Sequence, residues 1–133
     1  MRDTEFRGIN VYTNEFVYGN FVNNDVPYRG SRQKVYQIVN EDGIHINVLP
    51  TTVGQYIGRK DSKGVKIYEG DILKTKDLYD TSIPVFLGSV EFRDCSFVIN
   101  QGGFCYHYRW MDYEVEVIGN IYENKELLES LSN

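Results

Sequence analysis

Alanine is missing altogether from this 133-residue chain, and cysteine occurs only twice. Without its best helix former, and with Tyr, Val and Ile abundant, the chain favours strands over helices. No apolar run approaches the ~20 residues that span a bilayer, and no charged start followed by an apolar stretch marks a secretory signal. A soluble, cytoplasmic protein with no membrane partner is expected. In that compartment Cys95 and Cys105 stay as free thiols. Basic charge is also short, with a net charge of -5, so the electropositive footprint of a duplex-binding domain is missing. No phosphate-cradling glycine loop, serine nucleophile elbow or HExxH pair occurs, and no cofactor is expected. Solenoid repeats are absent too.

What is present is aromatic: 11 Tyr and 7 Phe. At this length one domain, or one domain with a small lobe, can bury a real core. Its most telling stretch is Gln55 to Lys74. Lys60-Asp61-Ser62-Lys63-Gly64 has the composition of a tight hairpin connection, flanked by strands at Val53 to Gly58 and Val65 to Tyr68. A second reversal at Tyr68-Glu69-Gly70-Asp71 precedes a strand starting at Ile72. Dense reversals between β-branched residues suit a small, strongly curved sheet, of which an SH3-like barrel is the familiar case.

Upstream, Glu5 to Val11 and Glu15 to Phe21 read as strands joined around Thr13-Asn14. Asn23 to Arg32, polar and without period, reads as the longest loop. Lys34 to Val39 and Ile44 to Leu49 pair around Asn40-Glu41-Asp42-Gly43, and Pro50 ends the pairing. Pro50 therefore marks the expected boundary between an N-terminal β lobe (1 to 50) and a barrel with a C-terminal helix (51 to 133).

Downstream, Thr75 to Thr81 reads as a loop, followed past Pro84 by a strand from Val85 to Arg93. A turn at Asp94-Cys95 accounts for the change of phase between Phe92 and Phe97. A hairpin at Gln101-Gly102-Gly103 returns along Phe104 to Trp110. Glu114 to Tyr122 forms the last strand, and Asn124 caps a helix from Lys125 to Leu131. With Leu127, Leu128 and Leu131 on one stripe, so short a helix must dock, on its own subunit by preference.

Several of these segments, Thr52 to Gly58, Lys60-Asp61 with Lys63-Gly64, Ile67 to Ile72 and Val117 to Asn124, together with Met1-Arg2, Glu5 to Gly8 and Phe16 to Gly19, resemble the YopX family of phage and prophage proteins. The resemblance covers nearly the whole chain. It implies a mostly β, cytoplasmic, phage-associated protein of a family without an established activity, so no site residue carries over. The chain departs from the family pattern at Cys95, near which glycine is common, and at Lys125, where proline is common.

Charge is uneven along the chain. Residues 51 to 76 carry six Lys and Arg against three Asp and Glu, whereas 77 to 133 carry three against ten. Such asymmetry can steer self-association or simply face solvent. The favoured reading is a non-enzymatic interaction module, binding a protein partner or a second copy through a sheet edge or the loops Asn23 to Arg32 and Leu78 to Pro84. A second reading is a single-strand nucleic-acid binder: Tyr106, Tyr108 and Trp110 alternate on one strand face, beside Arg109 and the basic hairpin with Arg59, Lys60 and Lys63, although a barrel with few Leu favours these aromatics as core. A third is a metal-dependent hydrolase using Glu69, Asp71, Asp112, Glu114 and Glu116. Zinc ligation by Cys95, Cys105, His107 and His45 lacks ligand spacing. Cys105 and His107 share a strand face about 6 to 7 Å apart, without an evident third group for nucleophilic catalysis.

Overall fold

The structure is a computed structural model that describes residues 3–129. Among the described residues the strands form two antiparallel sheets, with a single short α-helix near the C-terminus. The all-β expectation is therefore met. The chain divides into two compact units between Tyr56 and Ile57.

In the first unit, β1 (Phe6–Ile9), β2 (Phe16–Tyr28), β3 (Ser31–Val39) and β4 (His45–Asn47) run in the order β4-β3-β2-β1, and the start of β5 (Gly54–Lys60) pairs with β1. The turns fall where Asn and Gly foretold them. Asn14 has φ 60° and Gly43 φ 77°, and the Asn40 side-chain oxygen accepts the N–H groups of Asp42 and Ile44, each at 3.0 Å. Ile9, Ile38, Val48 and Tyr56 are buried. Thr52, in the 3-10 turn Pro50–Thr52, accepts the Ile9 N–H at 2.9 Å and donates to Leu49 O at 2.7 Å. Gly19 cannot be replaced, because a Cβ there would stand 2.0 Å from the Val39 carbonyl oxygen.

One expectation fails here. Asn23 to Arg32 is no loop: β2 and β3 pair in register from Asn20↔Val39 to Tyr28↔Ser31, reversing at Arg29-Gly30 with φ 47° and 79°. An exposed ribbon needs no apolar alternation, so its polar sequence concealed two strands. Pro27 is tolerated because β1 reaches only Phe16 to Gly19 of β2, leaving the far part of that edge without a ladder to break.

In the second unit, the rest of β5 makes a hairpin with β6 (Lys66–Tyr68). The other strands are β7 (Asp71–Asp77), β8 (Phe86–Arg93), β9 (Ser96–Gly102), β10 (Cys105–His107) and β11 (Tyr113–Asn120), in the order β10-β9-β8-β7-β11. Ile67, Leu73, Phe86, Val90, Ile99 and Val115 form the core.

Asp61 anchors the predicted hairpin turn. Its carboxylate accepts the N–H groups of Lys63, Val65 and Val117 at 2.8 to 2.9 Å, tying the loop to β11. Burial alone would push this carboxyl up, but the three backbone donors outweigh it and hold it below the usual carboxylate range. Gly70 has φ 90°, and buried Asp71 accepts the Tyr68 N–H at 2.8 Å.

Three boundaries differ from the sequence reading. β7 runs on to Asp77, because Thr75 is fully buried between outward Lys74 and Lys76 and behaves as a core residue. The strand after Gly103 stops at His107, and Trp110 lies in a 3-10 turn, Trp110–Asp112. β11 ends at Asn120 with a bulge between Val117 and Gly119. The helix α1 (Lys125–Glu129) lies against β8, with Leu127 and Leu128 half-buried; Leu131 falls outside the described residues, as do Met1 and Arg2.

The second sheet curls strongly. β10 and β11 are its two edges, yet His107 and Tyr113 touch. No ladder joins these edges among the described residues, so the expected barrel is approached in curvature and is not closed.

Candidate functional site

In the second unit the β9–β10 hairpin turns at Gly102 and Gly103, with φ 123° and 57°, and its register shifts between Cys105 and Tyr106. That shift gathers Gln101, Cys105 and His107. The Cys105 sulfur lies 3.5 Å from His107 Nε2 and donates to Gln101 Oε1 at 3.2 Å. His107 Nε2 is 2.8 Å from the same oxygen, and Nδ1 is 3.1 Å from the Tyr113 hydroxyl. The imidazole stacks on Phe86 with centroids 4.5 Å apart.

Burial pushes the His107 pKa down, favouring the neutral ring. A neutral ring has one N–H. Donated from Nε2 to Gln101, it leaves Nδ1 to accept the Tyr113 hydroxyl proton. His107 then turns no lone pair toward Cys105, and the thiol gains no general base. Tyr113 is the third group that the spacing of Cys105 and His107 could not reveal, because it heads the opposite edge strand. A cleft of about 290 Å³ adjoins the cluster, lined also by Asp77, Ile83 and Pro84.

The aromatic row is broken up. Tyr106 is half-buried under the Arg93 guanidinium, 4.2 Å from its ring centre, while exposed Tyr108 donates to Asp94 at 3.1 Å. Trp110 is half-buried against the core, and its indole N–H donates to Phe97 O at 2.7 Å. Of the cations, Arg59 donates to the carbonyls of Trp110 and Tyr113 at 2.8 and 2.9 Å, and Lys63 pairs with Glu116 at 2.9 Å. Arg109 lies 3.4 Å from Asp112, and Lys60 is exposed. A stacking platform needs open ring faces, and Trp110, its expected centre, helps hold the fold instead.

The acidic set is divided as well. Asp71 is buried in its turn, while Glu114 and Glu116 stand opposite Lys76 and Lys74 in the ladder. Those lysines answer the like-charge repulsion along β11. Among the described residues no group of three or more His, Cys, Asp or Glu converges as a metal site. His45 belongs to the first unit and contacts Gln37 at 3.2 Å, while Cys95 sits in the β8–β9 turn; both cysteines are free thiols.

The first unit offers two features of its own. The paired ends of β2 and β3 form a two-stranded arm whose tip carries Tyr28, Arg29, Arg32 and Lys34, all exposed. At its root opens a cleft of about 560 Å³, lined by Glu5, Gly19, Asn20, Val39, Glu41 and Asp42 among others.

Residues 5–129 match the family described as YopX protein. The chain belongs to the YopX family. The arm and the Cys105 cluster both lie inside the matched span. Among solved structures, protein EF1440 from Enterococcus faecalis is similar at 24% identity with a TM-score of 0.52, over 96% of this chain and 99% of that one. That likeness speaks to the fold alone. No curated protein matches the chain. No helix among the described residues is long and apolar enough to cross a membrane.

Proposed function

We propose that this YopX chain is a non-enzymatic interaction module of phage or prophage origin, acting in the host cytoplasm by binding a protein partner or a second copy of itself. The observation that carries the reading is the arm. Beyond Gly19 on one side and before Tyr36 on the other, its strands have no neighbouring strand among the described residues. A lone two-stranded ribbon is marginal in water, so a partner that covers it gains surface the monomer leaves open. The neutral, already engaged His107 further favours binding over catalysis.

Light scattering on the eluting protein across a concentration series, together with reciprocal affinity capture from phage-infected cells, tests this. The reading predicts either a concentration-dependent oligomer or one protein captured in both directions. A monomer at every concentration with no reciprocal partner, yet retaining a single-stranded oligonucleotide, would replace it with the nucleic-acid reading.

A further inference from the structure

Charge in the first unit is sorted by position save for Asp25, which is exposed on the arm opposite Lys34. Apart from Arg7, which is buried at 5% exposure with its guanidinium 4.3 Å from the Phe16 ring centre, the cations of residues 3 to 56 are Arg29, Arg32 and Lys34. All three stand at the tip of the arm. The arm's root carries the opposite sign, with exposed Glu41 and Asp42 and half-buried Glu5 around the cleft of about 560 Å³. We infer that the basic arm tip of one copy docks in the acidic cleft at the arm root of a second copy, reciprocally. This rests on the interaction-module reading above and names both its surface and its partner.

Geometry rules out the same contact within one chain. The ladder runs eight steps from Asn20↔Val39 to Tyr28↔Ser31, so at about 3.3 Å per residue the tip stands roughly 25 Å from the root. A paired ribbon cannot fold back through that distance without breaking its ladder. Two copies related by a two-fold axis meet the requirement at once, since arms lying antiparallel put each tip at the other's root.

Side chains, rather than strand addition, make the contact. In a two-residue hairpin closing on Tyr28↔Ser31, alternation turns the missing N–H of Pro27 to the outer edge of β2. Arg32 already donates to the Asp25 carbonyl at 3.1 Å. That edge is blunted as natural edges are. What the tip offers a partner is Tyr28, with Arg29 over its ring at 5.2 Å, on one face, and Lys34 and the rest of the Arg32 guanidinium on the other. The cleft offers apolar Val17, Val39 and Ile46 beside its carboxylates, a match for the Tyr28 ring and the Arg29 over it. A nucleic-acid groove would also accept a basic ribbon, but the carboxylates at the root disfavour a polyanion alongside the arm.

The test is a charge swap, read by sedimentation equilibrium at low and high salt. The native chain is expected to dimerise, less tightly at high salt. R29E/R32E/K34E and, separately, E41K/D42K should each raise the dissociation constant by about tenfold or more, while circular dichroism shows both folded. Mixing the two variants should restore a 1:1 dimer, because each arm then meets a cleft of opposite sign. A dimer that both variants leave intact overturns this surface and keeps self-association. A native chain that stays monomeric while capturing another protein overturns the inference and keeps the module reading. Loss of duplex or single-strand binding in the arm variant, in place of loss of dimer, overturns both.

Discussion

The two units place their polar residues to different ends. In the second, Asp61, Asp71 and Thr75 are buried, and the two carboxylates tie turns to strands through backbone N–H groups. In the first, most of the polar residues of β2 and β3 lie exposed along the arm. Polar side chains inside a curled sheet fix its geometry, because each buried acceptor left without a donor is costly. Polar side chains on a ribbon make few contacts, such as Arg32 to the Asp25 carbonyl, and otherwise face outward toward another surface. One region is therefore built to persist and the other to reach.

The contrast can be broken first at the core. Leu73→Ala, at a fully buried position, should cost about 2 to 5 kcal/mol, whereas Val26→Ala on the arm should cost under about 1 kcal/mol. Urea unfolding followed by fluorescence reads both, and equal losses would erase the distinction. Next comes Asp61. Asp61→Ala removes three backbone partners and should cost about 2 to 3 kcal/mol.

Asp61 also sets an acid limb. Because its folded pKa lies below the ordinary carboxylate value, its stabilisation is complete above that ordinary value and is lost as pH falls through the lowered one. Asp61→Asn should flatten stability against pH in that window. A smaller effect belongs to His107, whose folded pKa is pushed below 6.5 by burial. The unfolded chain takes up that proton first, so stability falls as pH drops below about 6.5. His107→Gln should remove this slope, and an NMR titration should place the imidazole below its ordinary value. Smallest is Cys95→Gly. With Cys95 at φ 66°, glycine relieves a left-handed conformation and should raise stability by about 0.5 to 1 kcal/mol.

Turn chemistry was the legible part of this sequence. Asp61 to Gly64, Gly70 and Asn40 to Gly43 all reverse the chain where local residue types demand it, whereas the Asp94-Cys95 turn shows only in the change of phase around it, and the cost of its cysteine is visible in a positive φ. Strand extent was legible only where burial enforces alternation. The arm escaped notice because nothing covers it, and the end of β7 because Thr75 counts as polar by type yet packs as core. The Cys105 cluster was half legible. Two-residue spacing put Cys105 and His107 together, but the curl that brings in Tyr113 is a property of the whole sheet. Trp110 packs against the core, as its bulk favoured, but from a 3-10 turn, because the strand expected to carry it stops at His107.

Hydrogen exchange at two protein concentrations tests the role of the arm most directly. The account predicts that amides of the second unit's central strands stay protected at both, while those from Val22 to Lys34 exchange fast in dilute solution and slow markedly when concentrated. Arm amides as well protected in a dilute monomer as those of β8, or unchanged by concentration while the chain dimerises, would contradict it.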